Sequence, residues 1–122
     1  MSHITKVKTQ LKDGLVLRSV LENLGYNVKE SGALINGHER TKVEFTAATN
    51  RLVIGFNRTD DYGCYEIYAD WYGRPKAKIL GEIFQNYSRE KVIKMARIKG
   101  FSVVQNRVDQ NGRIEMVLRK VA

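Results

Sequence analysis

The sequence predicts an α+β fold in which an antiparallel sheet of about six to seven strands carries two helices on one face. Two observations support this class. Apolar residues recur at helical spacing over residues 17–24 and again over 79–84, whereas the segments around them alternate in the manner of strands. The short strand-like segments are separated by turn sequences, among them Asn36-Gly37 and Asn111-Gly112.

The first half of the chain reads as strand, helix, strand and hairpin. Residues 4–10 alternate as a short strand, and Asp13 is placed to accept hydrogen bonds from the first turn of a helix. Gly25 ends that helix because the left-handed conformation after a helix favours glycine. Residues 26–29 resume as a strand, and 42–46 with 51–57 form a hairpin.

The second half begins with a longer strand over residues 64–72. Alternation places one set of side chains on the covered face and the other set on the open face. A second helix follows Pro75, a residue suited to a first helical turn. Whether this helix restarts at Ser88 or runs through is left open, and residues 101–107 and 113–119 form a hairpin. The covered set is Tyr65, Ile67, Ala69 and Trp71, and the open set is Glu66, Tyr68, Asp70 and Tyr72.

The two halves, about 1–60 and 61–122, echo each other within what we predict to be a single domain. A glycine, an aromatic residue, a polar residue and a valine follow each helix, at residues 25–28 and 100–103. One interpretation is a duplicated βαββ unit, which would place all strands in one continuous sheet. The other is a shared order of helix, turn and strand that arose by chance.

Composition limits the compartment and the partners. The chain has 122 residues and a net charge of +8, which could attract an acidic partner, although a basic solvated surface is the simpler interpretation. Its one cysteine, Cys64, cannot form an internal disulfide, and this favours a reducing compartment such as the cytoplasm. No apolar run approaches the roughly 20 residues of a membrane span, so we expect no membrane insertion.

No catalytic or metal-binding constellation is visible in the sequence. The two histidines, His3 and His38, lack spaced companions, so we predict no metal site. Neither a dinucleotide-binding nor a phosphate-binding glycine loop occurs, so we predict no cofactor of those kinds. Enzymatic activity is left uncertain and is not favoured.

Two surfaces are candidates for binding. The strand end formed by Tyr68, Asp70, Trp71 and Tyr72 is rich in aromatic residues, which are common at protein interfaces. On the second helix, three basic side chains lie on one side and form a basic face that could bind phosphates or an acidic protein. A solvated helix face is the alternative for these cations. The basic face comprises Lys91, Lys94 and Arg97.

Several short motifs resemble the hypothetical chloroplast reading frame thirty-five family, and they occur in the same order along nearly the whole chain. They are residues 1–9, 24–26, 68–71 and 87–101. The chain departs from the family where 72–74 follow the Asp70-Trp71 pair and where Ser88 follows Tyr87. The resemblance implies a domain of unknown function and assigns no activity to any residue.

Three functions follow as hypotheses. The first is a non-enzymatic accessory domain that docks a protein partner, or a second copy in a homo-oligomer. The second is a nucleic-acid-binding domain that uses the basic face. The third is an enzyme with a site around Asp70, Tyr68 and Cys64.

Overall fold

The computed structural model describes residues 3–60 and 62–121, and the chain divides into two compact units, 1–78 and 79–122. The described residues form two helices and nine strands. The helices are α1 (Gly14–Asn23) and α2 (Lys76–Ile98). The strands are β1 (Thr5–Lys8), β2 (Asn27–Lys29), β3 (Ala33–Asn36), β4 (Glu39–Lys42), β5 (Phe45–Ala48), β6 (Val53–Asn57), β7 (Glu66–Ala69), β8 (Phe101–Val108) and β9 (Ile114–Lys120).

The first unit is built on a five-stranded antiparallel sheet with the order β1-β7-β6-β5-β2. Its register brings side chains of three central strands onto one apolar face, where all of them are fully buried. The rings of Phe45 and Phe56 lie opposite each other and stack with centroids 4.8 Å apart. The buried set on this face includes Phe45, Ala47, Ile54, Phe56, Ile67 and Ala69.

Helix α1 packs on this apolar face. Asp13 accepts a hydrogen bond from the Val16 amide, as predicted for the N-cap, and Gly25 after the helix has a φ of 96°. Leu17, Val20 and Leu21 are buried at helical spacing. Helical amphipathicity and the two end signals therefore make the bounds of α1 predictable from neighbouring residues, while packing on the sheet stabilises the helix.

The hairpin formed by β3 and β4 covers part of the opposite face of the sheet. Leu34 and Val43 are buried there, and both approach Gly55 of β6. A Cβ placed on Gly55 would lie 2.6 Å from Val43 Cγ1 and 3.3 Å from Leu34 Cβ. The absence of a side chain at residue 55 is therefore what allows this hairpin to approach the sheet.

In the second unit, α2 is continuous through Ser88, and it is followed by a two-stranded hairpin of β8 and β9. Gly100 leaves the helix with a φ of 83°. The hairpin contains a register shift between Val103 and Gln105, so Val104 is an extra residue in β8. Gln85 Nε2 of α2 donates to the Gly112 carbonyl at 2.9 Å, which ties the hairpin turn to the helix.

The α+β class is confirmed, but the expected single sheet of six to seven strands is corrected. The main sheet has five strands, and β3–β4 and β8–β9 form separate hairpins. For β3–β4 the reason is local, because Gly32 and Gly37 adopt left-handed conformations that fold residues 33–42 back on themselves. The strand predicted over 64–72 is shorter and ends at Ala69.

The sequence echo between the halves corresponds to a shared local structure. Gly25 and Gly100 both follow a helix in the left-handed conformation, and both precede a strand. The two strands then pair differently, because β2 joins β5 of the main sheet whereas β8 pairs with β9. The compact units of the structure divide between residues 78 and 79, inside α2.

Candidate functional site

The first unit carries a groove of about 350 Å³, which we name the Tyr72 groove. It lies where the β3–β4 hairpin, the turn after β5 and the turn after β7 meet. Its lining combines apolar side chains with two arginines and one carboxylate. These residues are Ile4, Leu34, Ile35, Asn36, Thr49, Asn50, Arg51, Leu52, Val53, Asp70, Tyr72 and Arg74.

Asp70 accepts hydrogen bonds from two of the segments that line this groove. Its Oδ2 accepts a hydrogen bond from Asn36 Nδ2 at 3.1 Å, and its Oδ1 accepts one from the Tyr72 amide at 3.0 Å. The second bond closes an Asx turn, which fixes the backbone that carries Tyr72. The carboxylate thus joins the β3–β4 hairpin to the turn after β7.

Three large apolar side chains of the lining are open to solvent. Tyr72 is 79% exposed, Ile35 is 62% exposed and Val53 is 43% exposed. Grouped apolar exposure of this kind marks interaction surfaces more often than single exposed residues do. The exposure of Ile35 and Val53 could not be predicted from the sequence. Each lies in a short strand in which the pattern of neighbouring residues does not distinguish the exposed face from the buried one.

Tyr68 and Trp71 lie close in sequence but do not line the groove. Tyr68 donates its hydroxyl to Glu66 Oε1 at 3.2 Å, and burial together with the charge of Glu66 raises the pKa of Tyr68. Trp71 is half-buried, and its Nε1 is a buried donor without a partner among the described residues. Lys76 Nζ lies 6.0 Å from the centre of the Trp71 ring.

A cluster of charged and polar side chains connects α1 to the sheet, and the sequence did not predict it. Arg18 binds Glu30 through two bonds, at 2.8 and 3.0 Å, and also reaches Glu44 Oε2 at 3.1 Å. Arg58 Nε donates to Glu44 Oε1 at 3.1 Å, and the buried Tyr65 hydroxyl donates to the same carboxylate. The two arginines also lie over aromatic rings, 4.1 Å from Phe45 and 4.7 Å from Tyr65.

These contacts shift the pKa values of the cluster. Burial and the hydrogen bond to Glu44 raise the pKa of Tyr65 to about 12. Burial opposes ionisation of Glu44, but hydrogen bonds from Tyr65, Arg58 and Arg18 outweigh it and lower its pKa. The carboxylates, the arginines and the tyrosine hydroxyl of the cluster pair with one another, so the cluster has a structural role and holds α1 on the sheet.

The basic face of α2 lies in the second unit. Lys91 and Lys94 are half-buried, and Arg97 is exposed. Lys91 also lines a second concavity of about 310 Å³, which we name the Met95 groove. Its lining is mostly apolar and is formed by α2 and the hairpin. These residues are Lys91, Val92, Met95, Ala96, Lys99, Phe101 and Leu118.

The residues of the enzyme hypothesis are not brought together. Asp70 lines the Tyr72 groove, whereas Cys64 lines a different, smaller cavity with Lys8, Thr9 and Glu66. Tyr68 lines neither. Within residues 3–60 and 62–121, no three His, Cys, Asp or Glu side chains converge as a metal site would require.

Comparison with known proteins assigns the chain to a family. The profile of the family described as "Protein of unknown function (DUF1257)" matches residues 20–117. The chain belongs to this family. It is 30% identical to the "Uncharacterized protein ycf35" of Guillardia theta over 98% of both chains. It is 25% identical to the protein of the same name from Pyropia yezoensis, again over 98% of both.

The family assignment confirms the resemblance found in the sequence motifs, since ycf35 is the reading-frame family that those motifs resemble. No solved structure matches the chain. Neither helix in the described part of the chain carries an apolar window long enough to cross a bilayer. The names of the relatives assign no substrate or partner, so the function has to be inferred from the surfaces of the molecule.

Proposed function

We propose that this member of the family is a non-enzymatic accessory domain that docks a protein partner through the Tyr72 groove. The observation that carries the proposal is the exposure of Tyr72, which is 79% open to solvent on the rim of a concave, mixed surface. A tyrosine combines a large apolar area with a polar end, and such residues anchor many protein interfaces.

The setting of Tyr72 supports the role of an anchor. The Asx turn at Asp70 holds its backbone in place, so less conformational freedom would be lost when a partner binds. Ile35 and Val53 supply further apolar contact area, and Arg51 and Arg74 supply charge that can orient a partner. The lone cysteine, Cys64, fits a partner met in a reducing compartment such as the cytoplasm.

The chain provides a matched control for Tyr72. Tyr62 belongs to the same unit, is 89% exposed, and its amide also bonds to an aspartate two residues before it, Asp60, at 2.8 Å. Tyr62 does not line the groove. The two tyrosines therefore have similar local geometry and exposure, and they differ in their surroundings.

The test is photocrosslinking in cells of the organism that encodes the chain. Benzoylphenylalanine replaces Tyr72 in one strain and Tyr62 in the other, and adducts formed under ultraviolet light are identified by mass spectrometry. We expect a discrete protein adduct at residue 72 that is absent at residue 62. An adduct containing a second copy of the chain would support the homo-oligomeric form of the proposal.

Two results would overturn it. One is the same adduct pattern at residues 72 and 62, which would indicate collisions and not docking. The other is an adduct at residue 72 that nuclease removes, which would replace the protein partner by a nucleic acid. To confirm specificity, Tyr72→Ala should reduce recovery of the identified partner by about tenfold or more, the change expected for an interface anchor, while Tyr62→Ala should not.

A further inference from the structure

The second unit leaves an apolar surface incompletely covered. No described residue of the hairpin, residues 101–121, is buried. On the adjoining helix, Val92 is 45% exposed, Met95 is 43% exposed and Ile98 is 69% exposed. A two-stranded sheet is barely stable in water unless one face is covered. This degree of apolar exposure therefore indicates a surface that binds another molecule.

The register of the hairpin defines which face is apolar. Val103 lies opposite Leu118, and Val108 lies opposite Ile114. Residues directly opposite share a face in an antiparallel pair, so these side chains stand together with Met116. Leu118 of this face lines the Met95 groove together with residues of α2, and it is 40% exposed.

Charge indicates which kind of occupant fits. Lys91 and Lys99 line the Met95 groove beside its apolar side chains. Residues 79–122 contain nine basic and four acidic residues, a net charge of +5. A second copy would bring like charges together over this groove, and Glu115, the acidic residue of β9, is already bonded to Arg107 at 2.6 Å. An acidic occupant suffers no such repulsion.

We propose that the Met95 groove binds an acidic amphipathic segment of a partner protein. Its apolar side chains would lie on Met95 and Leu118, and its carboxylates beside Lys91 and Lys99. Of the basic face, only Lys91 lines this groove, and the lining between Lys91 and Lys99 is apolar and offers little to a phosphate backbone, so a protein segment fits it better than a nucleic acid. The proposal is independent of the Tyr72 groove.

The test uses the full chain and a designed peptide as the probe. The peptide is a fluorescein-labelled amphipathic helix of about five turns, with leucine on one face and glutamate on the other. A matched peptide carries lysine at every glutamate position. Binding is measured by fluorescence polarisation at low and moderate salt. We expect saturable binding of the acidic peptide, weakened by salt, and at least about tenfold weaker binding of the lysine peptide.

Variants locate the site. Met95→Glu and Lys99→Glu should each weaken binding of the acidic peptide by about tenfold. Leu15→Glu is the control, because Leu15 is an apolar helix residue of the first unit with 77% exposure, and it should leave binding unchanged. Circular dichroism checks the fold of each variant. If Met95→Glu fails to fold, amide chemical shifts of the ¹⁵N-labelled wild-type chain locate the peptide instead, with changes expected over residues 91–99 and at Leu118.

Several outcomes would overturn the proposal. They include no saturable binding of the acidic peptide, equal binding of the two peptides, and binding that neither Met95→Glu nor Lys99→Glu weakens. Sedimentation that shows a dimer dissociated by Met95→Glu would assign the groove to a second copy. Binding of a single-stranded oligonucleotide that depends on Lys99 but not on Met95 would assign it to nucleic acid.

Discussion

The hydroxyl of Tyr65 donates a hydrogen bond to the carboxylate of Glu44, which also receives bonds from Arg18 and Arg58. Tyr65 is fully buried on the sheet face that carries α1, and Arg18 extends from α1 itself. A single carboxylate therefore joins the helix, the sheet and the loop after β6. The stability of the first unit should depend on this carboxylate and on the protonation of the tyrosine beside it.

Replacing Glu44 by Gln should destabilise the chain by about 1–3 kcal/mol, because two partly buried arginines lose their shared counter-charge. Glu30→Gln is the matched control. It removes the other carboxylate bonded to Arg18, but the Glu30 side chain is 62% exposed. We expect its cost to stay below about 1 kcal/mol. Urea unfolding followed by circular dichroism gives both values, and equal losses would contradict a central role for Glu44.

Stability should fall at alkaline pH. The pKa of Tyr65 is raised from 10.0 to about 12, so the folded state retains the proton in a range where the unfolded state loses it. Stability from this group is complete below pH 10 and is lost as the pH rises towards 12. The raised pKa of Tyr68 acts in the same direction.

Urea midpoints of the wild type, Tyr65→Phe and Tyr68→Phe, measured between about pH 8 and 11, separate the two tyrosines. We expect Tyr65→Phe to flatten the alkaline decline more than Tyr68→Phe does. Parallel declines in all three proteins would show that Tyr65 does not carry the effect. On the acidic side, the lowered pKa of Glu44 makes its contribution disappear as the pH falls below the usual range of a glutamate.

Gly55→Ala should destabilise the first unit by about 1–3 kcal/mol, because the added methyl group would overlap Val43 and disturb Leu34. Gly81→Ala is the opposite case. Gly81 is an exposed residue of α2, and no atom lies within 4 Å of the position that an added methyl group would occupy. Alanine there should stabilise the helix by about 0.5–1 kcal/mol.

Thermal unfolding measures both glycine variants. The double variant Gly55→Ala with Val43→Ala should recover part of the loss, since it removes the overlapping Cγ1. If it recovers nothing, the contact between the β3–β4 hairpin and β6 is not the cause of the destabilisation.

Asp70→Ala should reduce crosslinking from residue 72 without unfolding the chain. It removes the bond to the Tyr72 amide and the bond from Asn36, so the turn that carries Tyr72 loses its support. Asp60→Ala removes the equivalent bond to the Tyr62 amide and serves as the control. A crosslinking yield at residue 72 that is unchanged by Asp70→Ala would show that the turn does not preorganise the anchor.

The parts of the fold that depend on neighbouring residues could be predicted from the sequence. Asp13 and Gly25 bound α1 as predicted, and Asn111-Gly112 closes the β8–β9 hairpin. The β3–β4 hairpin was not predicted, because β4 is the polar segment Glu39–Lys42, which has no apolar alternation. Its pairing with β3 is decided by packing over Gly55, which periodicity does not reveal.

The same distinction applies to the candidate sites. Asp70 and Tyr72 could be singled out because aromatic residues cluster locally in the sequence, and both line one groove. Arg18 and Arg58 could not be connected to Glu44, since they are 26 and 14 residues away from it and meet it only when α1 docks on the sheet. Val92 and Met95 fit an amphipathic stripe, but the stripe alone does not tell how much of it stays exposed.

The register shift in the β8–β9 hairpin means that β8 contains one residue more than its pairing with β9 requires. Val104 has no residue of its own opposite it, so its removal would leave every other pair opposite its present partner. Removal of a second residue nearby, with Phe101 kept opposite Lys120, would shift the register by one. Arg107 would then lie opposite Met116 on the apolar side, and Val108 would lie opposite Glu115 on the other side. We therefore expect homologues to differ in length within β8 by a single residue and to take up larger differences in the turn at residues 109–112.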